Sequence, residues 1–301
     1  MSVGELSRVT TRQTVSAPAG RPTGASAGRA GALPAMVRSL AWVMASLVVV
    51  VALFEGAKWA FGVSDITMPH SWSIAAAFGA ETPSGQVRWM ALAESVGVTL
   101  QQSLVGVLLG LLVGALLGII TAKSQFTSRT LTPVLVASQT LPLVAIVPAL
   151  VILLGEGWFA RAVIAAMLAF FPVYVAVARS ITDIPIDQRK LFESLGFSRG
   201  RTFLSLELPQ VTLAAVATVR TATALAVTGS IVAELPSGTS DGIAATMLTA
   251  ASYYLTDPEA LWCSALVAMA GGVLLVFVLS ALASIAARLA LRTPPETRNV
   301  R

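Results

Sequence analysis

Apolar residues in this chain neither alternate nor recur at a helical spacing; they run. Six stretches, Leu40 to Phe61, Val96 to Ala122, Pro133 to Leu154, Phe159 to Val177, Val211 to Leu235 and Leu261 to Ala290, carry almost no charge. A helix needs about 20 such residues to cross a hydrocarbon core, and in lipid it satisfies its own backbone hydrogen bonds. The pattern predicts an all-α polytopic membrane protein with six transmembrane helices, the membrane part covering residues 38–292. Residues 1–37, rich in Ser, Thr, Gly, Ala and Pro without apolar periodicity, read as a disordered tail, and residues 293–301 as a second short one. The first run starts too deep and runs too long for a signal peptide, so it reads as an uncleaved anchor. Between runs, Gly62 to Ser95 and Pro236 to Ala260 exceed simple turns, and each is expected to hold a short interfacial or re-entrant helix. Trp59, Trp72, Trp89, Tyr253, Tyr254 and Trp262 cluster near that boundary, where amphipathic rings settle.

Composition agrees with the runs. Of 301 residues 55% are hydrophobic and only 12% charged, about half the charge of a soluble domain. The net charge is +5, and the pI near 10.0 would suit nucleic acid if the charges shared one face. They do not. With the amino terminus inside, most of the twenty Lys and Arg fall on the inner loops and tails, leaving Lys58, Arg88 and Arg161 outside and Arg220 within a span. That bias places both termini in the cytoplasm and argues against nucleic-acid binding.

Chemistry-bearing motifs are sparse. Cys263 and His70 are single residues of their kind, which excludes an internal disulfide, a zinc cluster and paired-histidine catalysis; His70 reads as a solvated loop residue. A literal GxSxG at Gly24, Ser26 and Gly28 lacks the strand, turn, helix and histidine that a nucleophile elbow needs. The nearest approach to a phosphate-binding loop, Ala122-Lys123-Ser124, lacks the glycine that closes it. No catalytic residue, metal or cofactor is assigned, and any ATP hydrolysis is expected on a separate subunit.

Within the spans, Gly106, Gly110, Gly114 and Gly118 repeat every four residues, forming a stripe along which another backbone can approach. Pro133, Pro142, Pro148 and Pro172 can each kink a helix. Ionisable groups inside hydrocarbon default to functional candidates. Arg220 is the deepest by position, and Glu234 returns to nearly the same helical face, so the two are candidates for one wall of a substrate pathway.

The long inner loop, residues 181–210, carries strong local signals. Asp187 can cap a helix through Leu195, Gly196 can end it, Ser198 can cap a second helix and Pro209 can close that. Leu191, Phe192, Leu195, Phe197, Phe203 and Leu204 are too apolar for a solvated loop, and Arg189, Lys190, Arg199 and Arg201 rim them. Such a patch argues for a protein partner.

Here the chain resembles the permease subunits of binding-protein-dependent ABC importers, whose loop motif runs EAA, three residues, Gly, nine residues, Ile, one residue, Leu-Pro. Gly196 leads through nine residues to Leu206, Glu207 and Leu208-Pro209, with Leu in place of Ile. The EAA positions hold Lys190, Leu191 and Phe192 instead, and Glu193 is out of register. MPHSW, TLPLVAIVPALVILLGEG, FFPVYV and VRTATALAVTGSIVAELPSGTSDGIA resemble the nitrate, sulfonate and taurine branch. The resemblance implies a type I ABC importer permease fold in a bacterial cytoplasmic membrane. It implies a permease homodimer, two ABC ATPase subunits and an extracytoplasmic binding protein that delivers a small solute, with anions such as a sulfonate, nitrate or taurine expected. The ATPase-coupling residues it implies are Lys190, Leu191, Phe192, Glu193, Ser194, Leu195, Gly196, Phe197, Ser198 and Arg199, with Leu206, Leu208 and Pro209. A competing class, an ion-coupled secondary transporter or channel, would need titratable groups near the midplane and repeated halves; only Arg220 lies deep by position, and no repeat is visible.

Overall fold

The computed structural model describes residues 32–238 and 241–292, and every described element is helical apart from one isolated β-bridge between Glu81 and Val87. In chain order the helices are α1 (Ala32–Phe61), α2 (Ser71–Ala77), α3 (Arg88–Lys123), α4 (Gln125–Thr140), α5 (Leu143–Leu154) and α6 (Trp158–Thr182). There follow α7 (Ile186–Ser194), α8 (Arg199–Thr202), a π turn (Phe203–Glu207), α9 (Leu208–Glu234), α10 (Ile243–Ser252) and α11 (Pro258–Arg292). The chain divides into a unit ending at Ala57 and one beginning at Lys58. In the first, α1 starts within the stretch expected to be tail, and its side chains over residues 41–53 are exposed. The remainder of that tail and residues 293–301 lie outside the described residues.

The second unit is organised on α6. Ala162, Ile164, Ala165, Ala169, Val173 and Val177 are fully buried along it, and small side chains at this spacing let neighbouring backbones come close. On α3, a Cβ added at Gly106 would lie 2.5 Å from Ala165 Cβ, at Gly110 2.6 Å from Ala169 Cβ, and at Gly118 2.8 Å from Val177 Cγ1. At Gly114 it would strike the Phe170 carbonyl oxygen. The glycine stripe is thus the seam between α3 and α6. From the other side α9 approaches the same helix, where a Cβ at Gly229 would lie 2.8 Å from Ala165 Cα.

Among the described residues, five helical segments are long and apolar enough to cross a membrane, and a sixth only if α4 and α5 count as one. They form no straight rod: the pair bends by 103°. Leu141 is extended at φ −72, ψ 130 and Pro142 supplies no N–H to continue the ladder, because the residue before a proline is pushed out of the helical region. The third span expected at Pro133 to Leu154 is therefore broken in its middle. Pro133, Pro148 and Pro172 instead remain inside α4, α5 and α6.

Both connections expected on the outer side hold the expected short helix, α2 in one and α10 in the other. His70 departs from its expected solvated state. It precedes α2 and stacks on Trp72 with ring centroids 4.0 Å apart, its Nε2 3.4 Å from Asp65 Oδ1.

Candidate functional site

Functional candidates gather at opposite ends of α9. At its start, α7 projects from the bundle and ends in a hydrogen-bond pattern dictated by sequence. Gly196 adopts φ +74, its N–H donates to the Glu193 carbonyl at 3.0 Å, and the Phe197 N–H reaches back to the Phe192 carbonyl at 3.1 Å. That is a Schellman motif, in which glycine takes the left-handed position and the flanking apolar pair closes over it. Phe192 and Phe197 form that pair, with ring centroids 5.0 Å apart, and the Arg201 guanidinium lies over Phe197 at 4.9 Å.

Two details differ from the sequence expectation. Asp187 does not cap α7, whose N-cap is Pro185; it sits in the first turn, where a carboxylate complements the positive helix end. Ser198 caps α8 as expected, accepting from the Arg201 N–H at 3.4 Å, but Pro209 does not close that helix. The helical path runs from Arg199 through the π turn to Glu234, because Pro209 falls at the first turn of α9, where a missing N–H breaks no bond.

Glu207 braces this projection, and sequence reasoning left it out. Its side chain is 9% exposed. Arg189 Nη1 donates to Glu207 Oε1 at 2.9 Å and Arg189 Nη2 to the Ile181 carbonyl at 2.6 Å. Lys123 Nζ stands 3.3 Å from Oε2 and 3.9 Å from the Phe203 ring centroid. One carboxylate therefore joins the ends of α3 and α6 to α7 and the foot of α9. Outside this brace Lys190, Leu191, Glu193, Ser194, Leu195, Ser198 and Arg199 are exposed, while Phe192, Phe197, Leu206 and Pro209 are half-buried. Leu191, Leu195 and Leu204 retain 55%, 63% and 62% exposure, an apolar knob with a charged rim.

At the far end of α9 lies a buried polar cluster. Glu234, 1% exposed, accepts from Thr99 Oγ1 at 2.5 Å and from the Ala244 N–H at 2.8 Å. Gln102, its amide nitrogen turned to Glu234, bridges at 3.2 Å on each side to Glu234 and Arg161. Arg161, 2% exposed, forks onto Asp241 through Nη1 and Nη2 at 3.2 and 3.3 Å. Thr99 Oγ1 also accepts the Ile243 N–H at 3.0 Å. The free N–H groups at the start of α10 thus end on Thr99 and Glu234. A Cβ on Gly242 would overlap the Glu234 carboxylate, so only glycine allows this approach.

Arg220 and Glu234 do not share a wall. Arg220 is exposed on α9, beside a groove of about 700 Å³ between α9 and α11 that Thr221, Ala224, Gly272 and Phe277 also line. Glu234 faces inward to α3 and α10. Among the described residues the charged groups that the fold buries are Lys58, Arg88, Arg161, Glu207 and Glu234, whereas position along the sequence pointed to Arg220. Among the described residues no group of His, Cys, Asp and Glu is arranged to hold a metal ion.

The stretch holding both ends of α9, residues 106–292, matches the family described as binding-protein-dependent transport system inner membrane component. The match covers more than half of the chain. The chain belongs to this family. Curated relatives include a "Probable ABC transporter permease protein" of Haemophilus influenzae, 31% identical over 51% of this chain and 62% of that protein. The riboflavin transport system permease protein RibX of Chloroflexus aurantiacus is 34% identical over 46% of this chain and 52% of its own length. The formylaminopyrimidine transport permease protein ThiX of Halalkalibacterium halodurans is 28% identical over 45% and 54%. The chain thus spans between half and two thirds of these permeases. Membership of the inner membrane component family and the apolar helices make it a multi-pass membrane protein of the ABC permease type. The names of these relatives do not single out an anion as the solute.

Proposed function

We propose that this chain is the membrane-spanning permease subunit of an ATP-driven importer. It sits in the bacterial cytoplasmic membrane with both termini inside and works as a homodimer. Two copies of an ABC ATPase bind its inner face, and an extracytoplasmic binding protein loads its outer face. The observation that carries this reading is the braced apolar knob of α7 and α8. Seating Leu191, Leu195 and Leu204 in a partner's groove is worth about 1.5–3 kcal/mol per side chain, enough for specific docking, while Glu207 ties the knob to α3, α6 and α9. Movement of the ATPases then passes into the spans and shifts them between inward and outward openings, and the solute follows its differential affinity for the two. The cargo is a small solute; riboflavin and formylaminopyrimidine, named for relatives, widen the class beyond simple anions. Arg220 lines its path on the exposed face of α9.

Gly196→Trp in the chain co-purified with its ATPase tests the docking. A Cβ at this position meets nothing within 4 Å, so the indole projects outward, and both complex formation and substrate-stimulated ATP hydrolysis are expected to fall. Unchanged values sink the coupling assignment. Uptake by the chain alone in liposomes, driven by a proton or sodium gradient, would replace this reading with that of a secondary transporter.

A further inference from the structure

A cavity of about 480 Å³ opens between the end of α3, the start of α4 and the last turns of α6. It belongs to the same end of the bundle as the α7 knob, since Lys123 closes α3 and Ile181 nearly closes α6, and both meet the Arg189 and Glu207 brace. Its lining is graded along the helix axes. Toward the start of α4 and the end of α6 it is lined by Thr121, Ser128 and Arg179, and beyond the pairing of Thr132 with Tyr174, farther along α4 and back along α6, by Val136, Phe171 and Val175. Midway, Thr132 and Tyr174 share one hydrogen bond at 2.8 Å, which leaves one of their two hydroxyl hydrogens for a ligand.

Arg179 is the exposed cation of the polar end. Among the described residues its guanidinium makes no ion pair and no side-chain hydrogen bond, although Asp183 lies one turn away. The Ser128 hydroxyl is likewise uncommitted. A free oxyanion would be satisfied by the polar end alone and would leave the apolar end empty. A molecule with a phosphate at one end and hydrocarbon at the other fills both.

We infer that this cavity binds an anionic phospholipid, its phosphodiester on Arg179, Ser128 and the Thr132 and Tyr174 pair, with the upper part of one acyl chain against Val136, Phe171 and Val175. Basic pockets between helices at the membrane surface take lipid headgroups in this way. The site adds a lipid ligand next to the brace of the knob. It rests on the proposed function only for the leaflet, which that reading makes the cytoplasmic one.

The test uses the purified full chain in detergent, offered equal amounts of phosphatidylglycerol and phosphatidylcholine with matched acyl chains, and counts retained lipid by native mass spectrometry. Phosphatidylglycerol is expected to exceed phosphatidylcholine about fivefold, the weight of one arginine near an anionic headgroup. Arg179→Gln, which removes no contact within the protein, is expected to bring the two lipids level. Arg129→Gln, an exposed arginine of α4 outside the cavity, is expected to change nothing. Val175→Trp fills the apolar end while keeping Arg179, and is also expected to abolish the preference. Equal retention by Arg179→Gln and the parent protein overturns the site, and displacement of the lipid by millimolar inorganic phosphate overturns the lipid in favour of a free oxyanion. Neither ATPase nor transport enters the measurement, so its failure leaves the docking result with Gly196→Trp standing, and the reverse holds too.

Discussion

The carboxylate of Glu234 accepts the backbone N–H of Ala244 at 2.8 Å, so the last residue of α9 caps the first turn of α10. Thr99, Gln102 and Arg161 complete the surroundings of that carboxylate from α3 and α6. Removing one partner of a buried, charged network strands the others, at about 3–5 kcal/mol. Glu234→Ala is expected to lower the thermal unfolding temperature sharply. Gly242→Ala, which drives a methyl group into the same carboxylate, is expected to do likewise without touching any charge. A Gly242→Ala protein as stable as its parent would show that α10 does not sit on Glu234.

The seam between α3 and α6 makes a position-specific prediction. Gly106→Ala and Gly110→Ala each place a methyl group about 2.5 Å from an alanine Cβ of α6, and overpacking of that kind costs about 1–3 kcal/mol. Gly97→Ala, on the same helix with nothing within 4 Å, is expected to be neutral or slightly stabilising, since glycine in a helix interior costs about 0.5–1 kcal/mol relative to alanine. Thermal unfolding in detergent distinguishes the three, and equal effects would dissolve the seam.

Glu207→Ala frees Arg189 and Lys123 together. The knob should loosen while the spans stay folded, so limited trypsin is expected to cut at Arg199 and Arg201 several-fold faster with no loss of overall helicity. Gly196→Ala strains the left-handed residue of the Schellman motif by about 1 kcal/mol and is expected to give the same proteolytic signature more weakly. Unaltered cleavage in both proteins would mean that neither residue holds the knob.

Arg220→Ala is expected to reduce uptake severalfold while leaving ATP hydrolysis by the assembled complex in place, because the side chain is exposed on α9 and far from the knob. Lysine at the same position, which keeps the charge and loses the planar fork, should restore part of the uptake. Unchanged uptake in the alanine variant would remove Arg220 from the solute path.

What could be read from sequence was local. The apolar runs locate the long helices because lipid leaves no alternative to a helix of that length, and Phe192, Gly196 and Phe197 announce the end of α7 within six consecutive residues. The repeat of Gly106, Gly110, Gly114 and Gly118 marks a close approach, though the identity of α6 as its partner is a tertiary fact. Misreadings arose where direction mattered. Arg220 is deep by count yet faces outward, and Arg161, expected on the outer side, is buried at the start of α6. The Glu234 cluster joins residues 80, 135 and 144 positions apart, and no spacing rule reaches that far. Pro142 breaks the third span while Pro133, Pro148 and Pro172 leave their helices unbroken, so the residue type alone does not tell a break from a tolerated proline.

The π turn at Phe203–Glu207 has a geometric consequence for how the knob is aimed. A π turn accommodates one residue more than an α turn, and each residue of an α-helix advances its direction by about 100°. The azimuth of α8 around the axis of α9 is thus offset by that step from where an uninterrupted helix would set it. Deleting Ser205 would restore regular winding and swing Leu195 and the Phe192 and Phe197 pair away from Glu207, with every side chain of the knob retained. The orientation of this surface is encoded by the length of one turn as much as by the residues that form it.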